Sequence, residues 1–291
     1  MLSARTLRFS RSVSESGRCR RRLGIISMIM CEELRTRVLR LEPRAANANG
    51  LSALRWRDQP GERRHTDREK RRPLLRSLDS SKVLEITAKA LKEGEVVAVP
   101  TDTLYGLACL AQNSEAIKKV YDMKGRNGKK PLAICVGEIE DIYRYCKVTV
   151  PESLLRDLLP GPVTLVLERS ETLNEDLNPF TPLVGVRIPD SGFIRQLSQM
   201  CGEPLALTSA NVSSHRSTVA VHEFRDLWPR LGLVVDGGQI GDRSPQSRLG
   251  STVIDLSVPG KYRIIRPGCA LSSTTDVLKL QYNLLQDAAG H

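Results

Sequence analysis

The polar stretch VPTDTLYGL, residues 99–107, ends an apolar run that is typical of a buried strand. Thr101, Asp102, Thr103 and Tyr105 place three hydroxyls and a carboxylate within five positions, between a proline and a glycine. Such a cluster is typical of a turn or a cap, in which short polar side chains bond the backbone. The same groups can orient a polar ligand at the end of a strand, so the stretch alone leaves both interpretations open.

Four further polar clusters fall at the ends of predicted strands or in the loops beside them. KGRNGKKPL is basic and glycine-containing, VGVRIPD has an arginine in an apolar strand, LALTSAN ends such a strand in hydroxyls and an amide, and LGSTVID is joined by RIIRPG. Each cluster alone has a structural explanation as a solvated loop, an ion pair, a helix start or a turn. The polar residues of these clusters are Lys124, Arg126, Lys129, Lys130, Arg187, Thr208, Ser209, Asn211, Ser251, Thr252 and Arg266.

Together the five clusters predict one pocket for a small ligand that carries several negative charges. Loops at the carboxyl ends of strands converge in open α/β sheets, and ligands bind there. Arginine forks hold carboxylates or phosphates at two points, while hydroxyls and amides orient polar groups. Each charge-assisted hydrogen bond contributes about 1.5–3 kcal/mol, so a few of them suffice for micromolar affinity, which corresponds to about −8 kcal/mol.

Missing motifs exclude several familiar chemistries. The sequence has no P-loop, no GxGxxG after a strand and no GxSxG elbow, which disfavours the common nucleotide folds and a serine nucleophile. The four histidines show no metal-ligand spacing and the seven cysteines form no CxxC. We therefore predict no metal site, no disulfide framework and a reducing compartment. Catalysis by positioning and by charge neutralisation fits these residues better.

The elements that must position these residues begin near residue 80. Residues 80–94 predict an amphipathic helix that starts at serines and stops at Gly94, and short apolar runs then alternate with helical patterns. This alternation predicts one α/β domain of the α+β type, with a twisted mixed sheet flanked by helices. The predicted strands are 95–99, 132–136, 163–168, 184–188, 205–208, 232–235, 251–256 and 262–265, and the further predicted helices are 114–122, 138–146, 151–158, 190–200, 221–228 and 273–285.

The positive net charge of +11 is concentrated before this domain. Residues 1–76 carry a net charge of +12 and the remaining residues carry −1, so a basic leader rather than a basic fold sets the charge. We predict a leader with a linker at 1–76, a catalytic domain at 77–285 and a tail at 286–291. The first thirty residues are rich in Arg and Ser and contain one acid, which indicates a mitochondrial transit peptide, with an untargeted tail as the alternative.

Eight motifs occur in the order found in YrdC-like proteins, so the chain resembles that family over about residues 80–283: PTDTLYGL, KGR with KPL, GPVTLVL, VGVRIPD, LTSAN, DGG, GSTVID and IRPG. The resemblance implies a single YrdC-like domain around a deep concave cleft, with threonylcarbamoyl-AMP synthase activity. Such a nucleotidyltransferase condenses L-threonine, bicarbonate and ATP to L-threonylcarbamoyladenylate and pyrophosphate. ATP is then a substrate, accompanied by Mg²⁺, and no permanent cofactor is implied.

The resemblance also implies partners and locations. Cytosolic and mitochondrial transferase complexes would pass the threonylcarbamoyl group to tRNAs that read codons starting with A, so mitochondrion and cytoplasm are the expected locations. Weak RNA binding and peripheral membrane association are further expected interactions. Two alternatives lack catalysis: an RNA-binding module, and an adapter that acts through its basic N-terminus. The charge of −1 after residue 76 disfavours the first alternative.

Matching positions imply a role for each candidate residue. Thr103, Arg187 and Ser251 are implied to bind threonine, with Arg187 on its carboxylate, and Tyr105 to shape the pocket. Many relatives have a threonine-contacting histidine where this chain has Cys135, which is a poor hydrogen-bonding partner. The residues implied to contact ATP are Arg126, Lys130, Ser209, Asn211, Ser217 and Arg266. Those implied to act in catalysis, by neutralising phosphate charge, are Lys124 and Arg126.

Overall fold

The computed structural model describes residues 36–41, 76–125, 130–212, 215–242 and 244–287. Arg126 and Lys129 lie outside the described residues, as do most of the predicted leader and the end of the predicted tail. Within the described ranges, no helix has the length and apolar character that would let it cross a membrane.

Thirteen strands of the described residues form one mixed sheet, which confirms the predicted fold class. The strand order is β13-β12-β11-β7-β8-β5-β9-β4-β3-β10-β1-β2, and the short β6 pairs with β7. The strands are β1 Arg37–Leu41, β2 Arg76–Leu78, β3 Val97–Pro100, β4 Tyr105–Leu110, β5 Ala133–Cys135, β6 Cys146–Lys147, β7 Val163–Arg169, β8 Leu183–Arg187, β9 Leu205–Ser209, β10 Leu233–Asp236, β11 Thr252–Asp255, β12 Lys261–Arg266 and β13 Leu285–Gln286.

Helices cover the sheet through apolar faces of the expected period. The first helix buries Val83, Leu84, Thr87 and Leu91, which include the positions that its sequence pattern predicts. Two 3₁₀ segments, Val221–Arg230 and Gln246–Arg248, and a π-helical turn, Val277–Gln281, complete the described elements. The helices are α1 Ser80–Lys92, α2 Ser114–Lys124, α3 Ile139–Tyr145, α4 Glu152–Leu158, α5 Gly192–Cys201 and α6 Leu271–Asp276.

The stretch VPTDTLYGL forms a hairpin turn rather than a loop that simply follows a strand. Thr101 donates its backbone N–H to the carbonyl of Leu104 at 3.1 Å, and the chain continues directly into β4, which pairs antiparallel with β3. No strand was predicted at β4. All six of its residues are buried, so it lacks the alternation that marks a half-exposed strand.

Three other regions differ from their predicted elements. β1 lies in the sheet between β10 and β2, inside the segment predicted as leader and linker. The predicted helix 221–228 is a 3₁₀ segment with a kink at Phe224. The predicted helix 273–285 instead comprises part of α6, the π-helical turn and the start of β13.

One face of the sheet carries both a helical layer and a bare cavity wall. Cys135 packs in a core cluster with side chains of α1 and α5, whereas Ala133, two residues earlier on β5, lines the cavity. Residues two apart on a strand share a face, so the cavity lies beside the α1–α5 layer. The opposite face, with Ile134 of β5, packs against α2, α3 and α4.

Candidate active site

A cavity of about 570 Å³ lies on this face of the sheet, and six of the predicted site residues line it. Its floor is built from alternate residues of neighbouring strands, such as Leu183, Gly185 and Arg187 of β8. The site therefore spreads along the strands instead of lying only at their ends, where the sequence pattern placed it. The predicted residues that line the cavity are Thr103, Lys130, Arg187, Ser209, Ser251 and Arg266.

The polar groups of the hairpin turn form hydrogen bonds that hold the turn, and they also line the cavity. The Thr101 hydroxyl donates to the carbonyl of Leu104 at 2.7 Å and accepts the backbone N–H groups of Thr103 and Leu104, each at 3.2 Å. The Tyr105 hydroxyl donates to the carbonyl of Gly238 at 2.6 Å. Thr103 lines the cavity, as do Thr101 and Tyr105. Both interpretations of this stretch are thus correct, since Thr101 and Tyr105 hold the turn and also form part of the wall.

Arg187 is paired with Asp102 behind the cavity wall. Its Nη2 donates to Asp102 Oδ1 at 2.5 Å, and the two side chains are 8% and 9% exposed. Both Nη atoms also lie 3.4 Å from the Thr103 hydroxyl. The Nε of Arg187 is buried, and no hydrogen-bond partner for it is present among the described residues. The guanidinium is therefore fixed on one side and has donor capacity left for a ligand.

Ser251 connects Arg266, a further arginine of the cavity, to Thr164, a residue that the sequence did not single out. Its hydroxyl lies 2.8 Å from the Thr164 hydroxyl and accepts from Arg266 Nη2 at 3.2 Å, while its carbonyl accepts from the same Nη2 at 2.8 Å. Burial, and next the positive charge of Arg187, lower the pKa of Arg266. Because both guanidiniums line the same cavity, they create a positive electrostatic potential there that attracts anions.

Lys124 does not line the cavity, although the sequence predicted that it faces the phosphates. It is the last residue of α2, which ends at Gly125 with a φ of 60°. Its side chain is fully buried, and its ammonium donates to the carbonyls of Ser209 and Asn211 and to Asn211 Oδ1. A role in holding the loop after β9 follows directly from these contacts.

Asn211 and Ser217, both predicted ATP contacts, are also absent from the cavity wall. The Asn211 amide donates to the carbonyls of Val212 and His215, so it shapes the loop. The carbonyl of Ser217 accepts from Arg248 Nη1 at 2.6 Å, and Arg248 in turn forms a two-point pair with Glu223. The hydrogen bonds from Arg248 lower the pKa of Glu223 to about 2, against the effect of burial.

A second ion pair, between Asp255 and Arg263, lines the cavity. Arg263 Nη2 donates to Asp255 Oδ2 at 2.7 Å, and Asp255 also accepts from the hydroxyl and the backbone N–H of Ser257. Cys135 lies away from this wall. Its thiol is fully buried, and burial raises its pKa to about 12. Cys135 is thus a core residue here and does not line the cavity wall that carries Thr103.

Glycines in the cavity floor leave room for a ligand. A Cβ on Gly185 would lie 3.0 Å from the Thr164 methyl and 3.5 Å from the Ala133 Cβ. A Cβ on Gly106 would lie 2.7 Å from a methyl of Leu207. Side chains at these positions would crowd their neighbours at the floor and reduce the room for a ligand.

The sequence analysis named Asp102 in the first polar cluster without giving it a role, and it did not single out Thr164 or the Asp255–Arg263 pair. Asp102, Thr164 and Asp255 stand in the motifs PTDTLYGL, GPVTLVL and GSTVID, but a single sequence does not reveal which partner a polar group finds. Among the described residues, no three His, Cys, Asp or Glu side chains lie together in a way that could hold a metal ion.

The mixed sheet and its arginine-bearing cavity define a small-molecule site that favours ligands with several anionic groups. The family model described as "Telomere recombination", which covers the Sua5, YciO and YrdC proteins, matches residues 89–268. This is more than half of the chain, so the chain belongs to that family.

Known proteins agree with this assignment. The human protein named threonylcarbamoyl-AMP synthase is 64% identical over 212 residues, covering 72% of this chain and 76% of its own. A crystal structure of P. abyssi Sua5 complexed with L-threonine matches with a TM-score of 0.61 at 29% identity, over 74% of this chain and 61% of that one. Full-length HypF in its phosphate- and nucleotide-bound form matches with a TM-score of 0.55 at 27% identity, over 63% of this chain and 28% of that one. The chain thus spans less than two thirds of each of these two solved chains.

Proposed function

We infer that this protein is a threonylcarbamoyl-AMP synthase, a nucleotidyltransferase that converts L-threonine, bicarbonate and ATP to L-threonylcarbamoyladenylate and pyrophosphate. The observation that carries the inference is one cavity lined by residues from both predicted sets: Thr103, Arg187 and Ser251 with Lys130, Ser209 and Arg266. The human relative of the same name, at 64% identity, supports it.

On the threonine side, Arg187 is the group suited to the substrate carboxylate. A guanidinium presents its N–H donors in a planar fork that matches the two oxygens of a carboxylate. Thr103 and Ser251 add hydroxyls that can accept or donate at the same wall. The P. abyssi relative has been crystallised with L-threonine, which supports an amino-acid site in this fold.

On the nucleotide side, Lys130, Ser209 and Arg266 supply cationic and hydroxyl groups at the cavity. We propose that Arg126 joins them and that ATP enters with Mg²⁺ on its phosphates. Charge builds on phosphate oxygens as the carbamate oxygen attacks the α-phosphorus and pyrophosphate leaves, and fixed cations stabilise that charge. Lys124, Asn211 and Ser217 act on this side indirectly, since their contacts shape the loop after Ser209.

The two sides meet at the contact between Ser251 and Arg266. The carbamate of threonine is short-lived in water, so its formation and capture are best served by one shielded cavity. Because a carbamate is already anionic, its attack on phosphorus needs no separate base at the oxygen. This agrees with a cavity that is rich in arginine and hydroxyl groups.

We further propose that the product passes to transferase complexes that modify tRNA, in cytoplasm and mitochondrion, with the basic N-terminal segment as the mitochondrial signal. Weak RNA binding and peripheral membrane association would accompany this role. Fractionation of cells that produce the full chain, with N-terminal sequencing of the protein in each fraction, tests the locations.

The activity is tested with purified full-length protein, labelled threonine, bicarbonate and ATP. We expect a mixed anhydride that contains the label, and pyrophosphate release that requires both threonine and bicarbonate. Tight RNA binding that weakens steeply with salt, without any turnover of ATP, would instead identify an RNA-binding module.

A further inference from the structure

Asp102 is a partly buried carboxylate beside a cavity that Lys130, Arg187 and Arg266 line, and the proposed reaction assigns it no task. Its side chain is 9% exposed, and it is not one of the residues that line the cavity, although Thr101 and Thr103 on either side both are. A carboxylate in this place would repel an anionic substrate if it faced the cavity. The role of Asp102 must therefore lie in its contacts with protein residues behind the cavity wall.

Both oxygens of Asp102 are engaged, and they connect two separate loops. Oδ1 accepts from Arg187 Nη2 at 2.5 Å, and Oδ2 accepts from the backbone N–H of Asp190 at 3.1 Å. The first contact joins the hairpin turn to the end of β8, and the second joins it to the loop before α5. Because two fixed partners hold the carboxylate, it can in turn hold the arginine in one orientation.

The pairing leaves Arg187 able to bind a second anion. An arginine carries five N–H donors, and Asp102 takes one of them through Nη2. The contacts to the Thr103 hydroxyl are long, at 3.4 Å, and Nε is buried without a partner among the described residues. Arg187 itself lines the cavity, and because its Nε is buried, a ligand would bind through the Nη groups.

Asp102 also offsets the positive charge of Arg187, which lines the cavity together with Arg266. Arg187 and Arg266 lie close enough to influence each other electrostatically. Without the carboxylate, both guanidiniums would be free to turn toward the same polyphosphate, since each binds phosphate as readily as carboxylate. With it, Arg187 stays on the wall that carries Thr103.

We propose that Asp102 is a positioning residue that holds the Arg187 guanidinium for the carboxylate of the amino-acid substrate and thereby separates the amino-acid site from the nucleotide site. The proposal rests on the proposed function and deepens it, because it assigns a specificity device to that same cavity.

The test measures pyrophosphate release by the full chain with Asp102→Asn, which keeps the shape of the side chain and removes its charge. We expect the KM for threonine to rise about 10- to 100-fold, the loss typical of a charge-assisted hydrogen bond, while the KM for ATP changes less than about twofold. The preference for L-threonine over L-threoninamide should fall by a similar factor, because the amide lacks the carboxylate that Arg187 would hold. Equal changes in both KM values, or an unchanged preference, would overturn the proposal.

A double-variant cycle separates positioning from a general loss of structure. In an Arg187→Ala background, we expect Asp102→Asn to change the KM for threonine less than about twofold, since the group that it positions is gone. Multiplicative effects of the two substitutions would contradict the proposal. Asp190→Asn is the matched control, because Asp190 is exposed and its backbone N–H, not its carboxylate, contacts Asp102.

Two further measurements keep the result interpretable. If Asp102→Asn unfolds at the assay temperature, Asp102→Glu retains the charge but displaces the guanidinium, and the same selective rise in the KM for threonine is expected. An equal loss for both substrates would contradict positioning. Unaltered protein that shows no threonine-dependent pyrophosphate release refutes the proposed function itself, whereas active unaltered protein with an unselective Asp102→Asn variant refutes only the role of Asp102.

Discussion

At the scale of single residues, the ammonium of Lys124 holds the end of β9, at Ser209, and the following loop, at Asn211, against the end of α2. It donates to the Ser209 carbonyl at 2.6 Å and to Asn211 Oδ1 at 3.2 Å, in a fully buried site. A buried cation is tolerated when oxygen acceptors surround it. The same bonds satisfy the carbonyls of a loop whose serine lines the cavity, so a structural side chain here supports a functional one.

Replacing Lys124 with methionine therefore tests whether these hydrogen bonds stabilise the fold. Lys124→Met keeps the length of the side chain and leaves at least two buried acceptors without this donor, so the free energy of unfolding should fall by about 2–4 kcal/mol. Urea unfolding measures this loss, and Lys118→Met, at an exposed position of the same helix, is the control. Unchanged stability with lost turnover would instead favour the catalytic role that the sequence predicted.

At the scale of elements, the strands of the cavity floor depend on small residues at β5 and β8. Ala133 pairs with Gly185 in the parallel register of these strands. Thr164 of β7 turns its methyl toward Gly185 and its hydroxyl toward Ser251. The contacts in the floor are thus so close that a carbon atom added at Gly185 should displace the Thr164 side chain and its hydroxyl.

Gly185→Ala should lower kcat/KM about tenfold or more. The new Cβ would lie 3.0 Å from the Thr164 methyl and would displace the Thr164 and Ser251 hydroxyls that line the cavity. The free energy of unfolding should change by less than about 1 kcal/mol, since alanine also restricts the unfolded chain. Gly192→Ala is the matched control, because its Cβ would meet nothing within 4 Å. Full activity in Gly185→Ala would show that the floor adapts.

The ion pair between Glu223 and Arg248 predicts that stability depends on pH. Arg248 lowers the pKa of Glu223 to about 2, so the folded state favours the ionised form. The stabilisation is complete above the ordinary carboxyl pKa of about 4.3 and disappears as the pH falls toward 2. Glu223→Gln should thus cost about 1 kcal/mol at pH 7, given partial exposure, and progressively less in acid.

Urea unfolding of unaltered protein and of Glu223→Gln across this pH range measures the difference, with Glu85→Gln at an exposed site of α1 as the control. A difference that stays constant down to pH 2 would mean that the ion pair is not its source.

The elements that could be predicted from sequence are those with a regular period and clear ends. α1, α2 and most central strands were predicted near their observed positions. β4 was missed because its six buried residues show no alternation. β1 was missed because only Val38 and Leu39 are buried in a short basic stretch. Within the site, the predicted arginines Arg187 and Arg266 line the cavity, and Arg126 lies outside the described residues. The positions of Lys124 and Asn211 could not be predicted, because a single sequence does not show that the end of α2 contacts the loop after β9.

At the scale of the whole molecule, the sheet extends into the segment that the charge pattern assigned to a leader. β1 pairs in parallel with β10 along Arg37–Arg40 and Leu233–Asp236. Val38 packs in the core cluster that contains Phe224, and Leu39 in the cluster that contains Leu84. A strand that contributes to both clusters stabilises the sheet on both of its faces.

This arrangement predicts that two truncations differ in stability. A fragment of residues 36–291 should match the full chain in urea unfolding and in threonine-dependent pyrophosphate release. A fragment of residues 77–291 loses β1, and with it two buried aliphatic side chains that contribute about 1.5–3 kcal/mol each. Its free energy of unfolding should thus be about 3–6 kcal/mol lower, and the exposed edge of β10 should make it prone to association. Equal stability of both fragments would place the start of the folded domain at 77, where the charge pattern put it, and would make β1 dispensable.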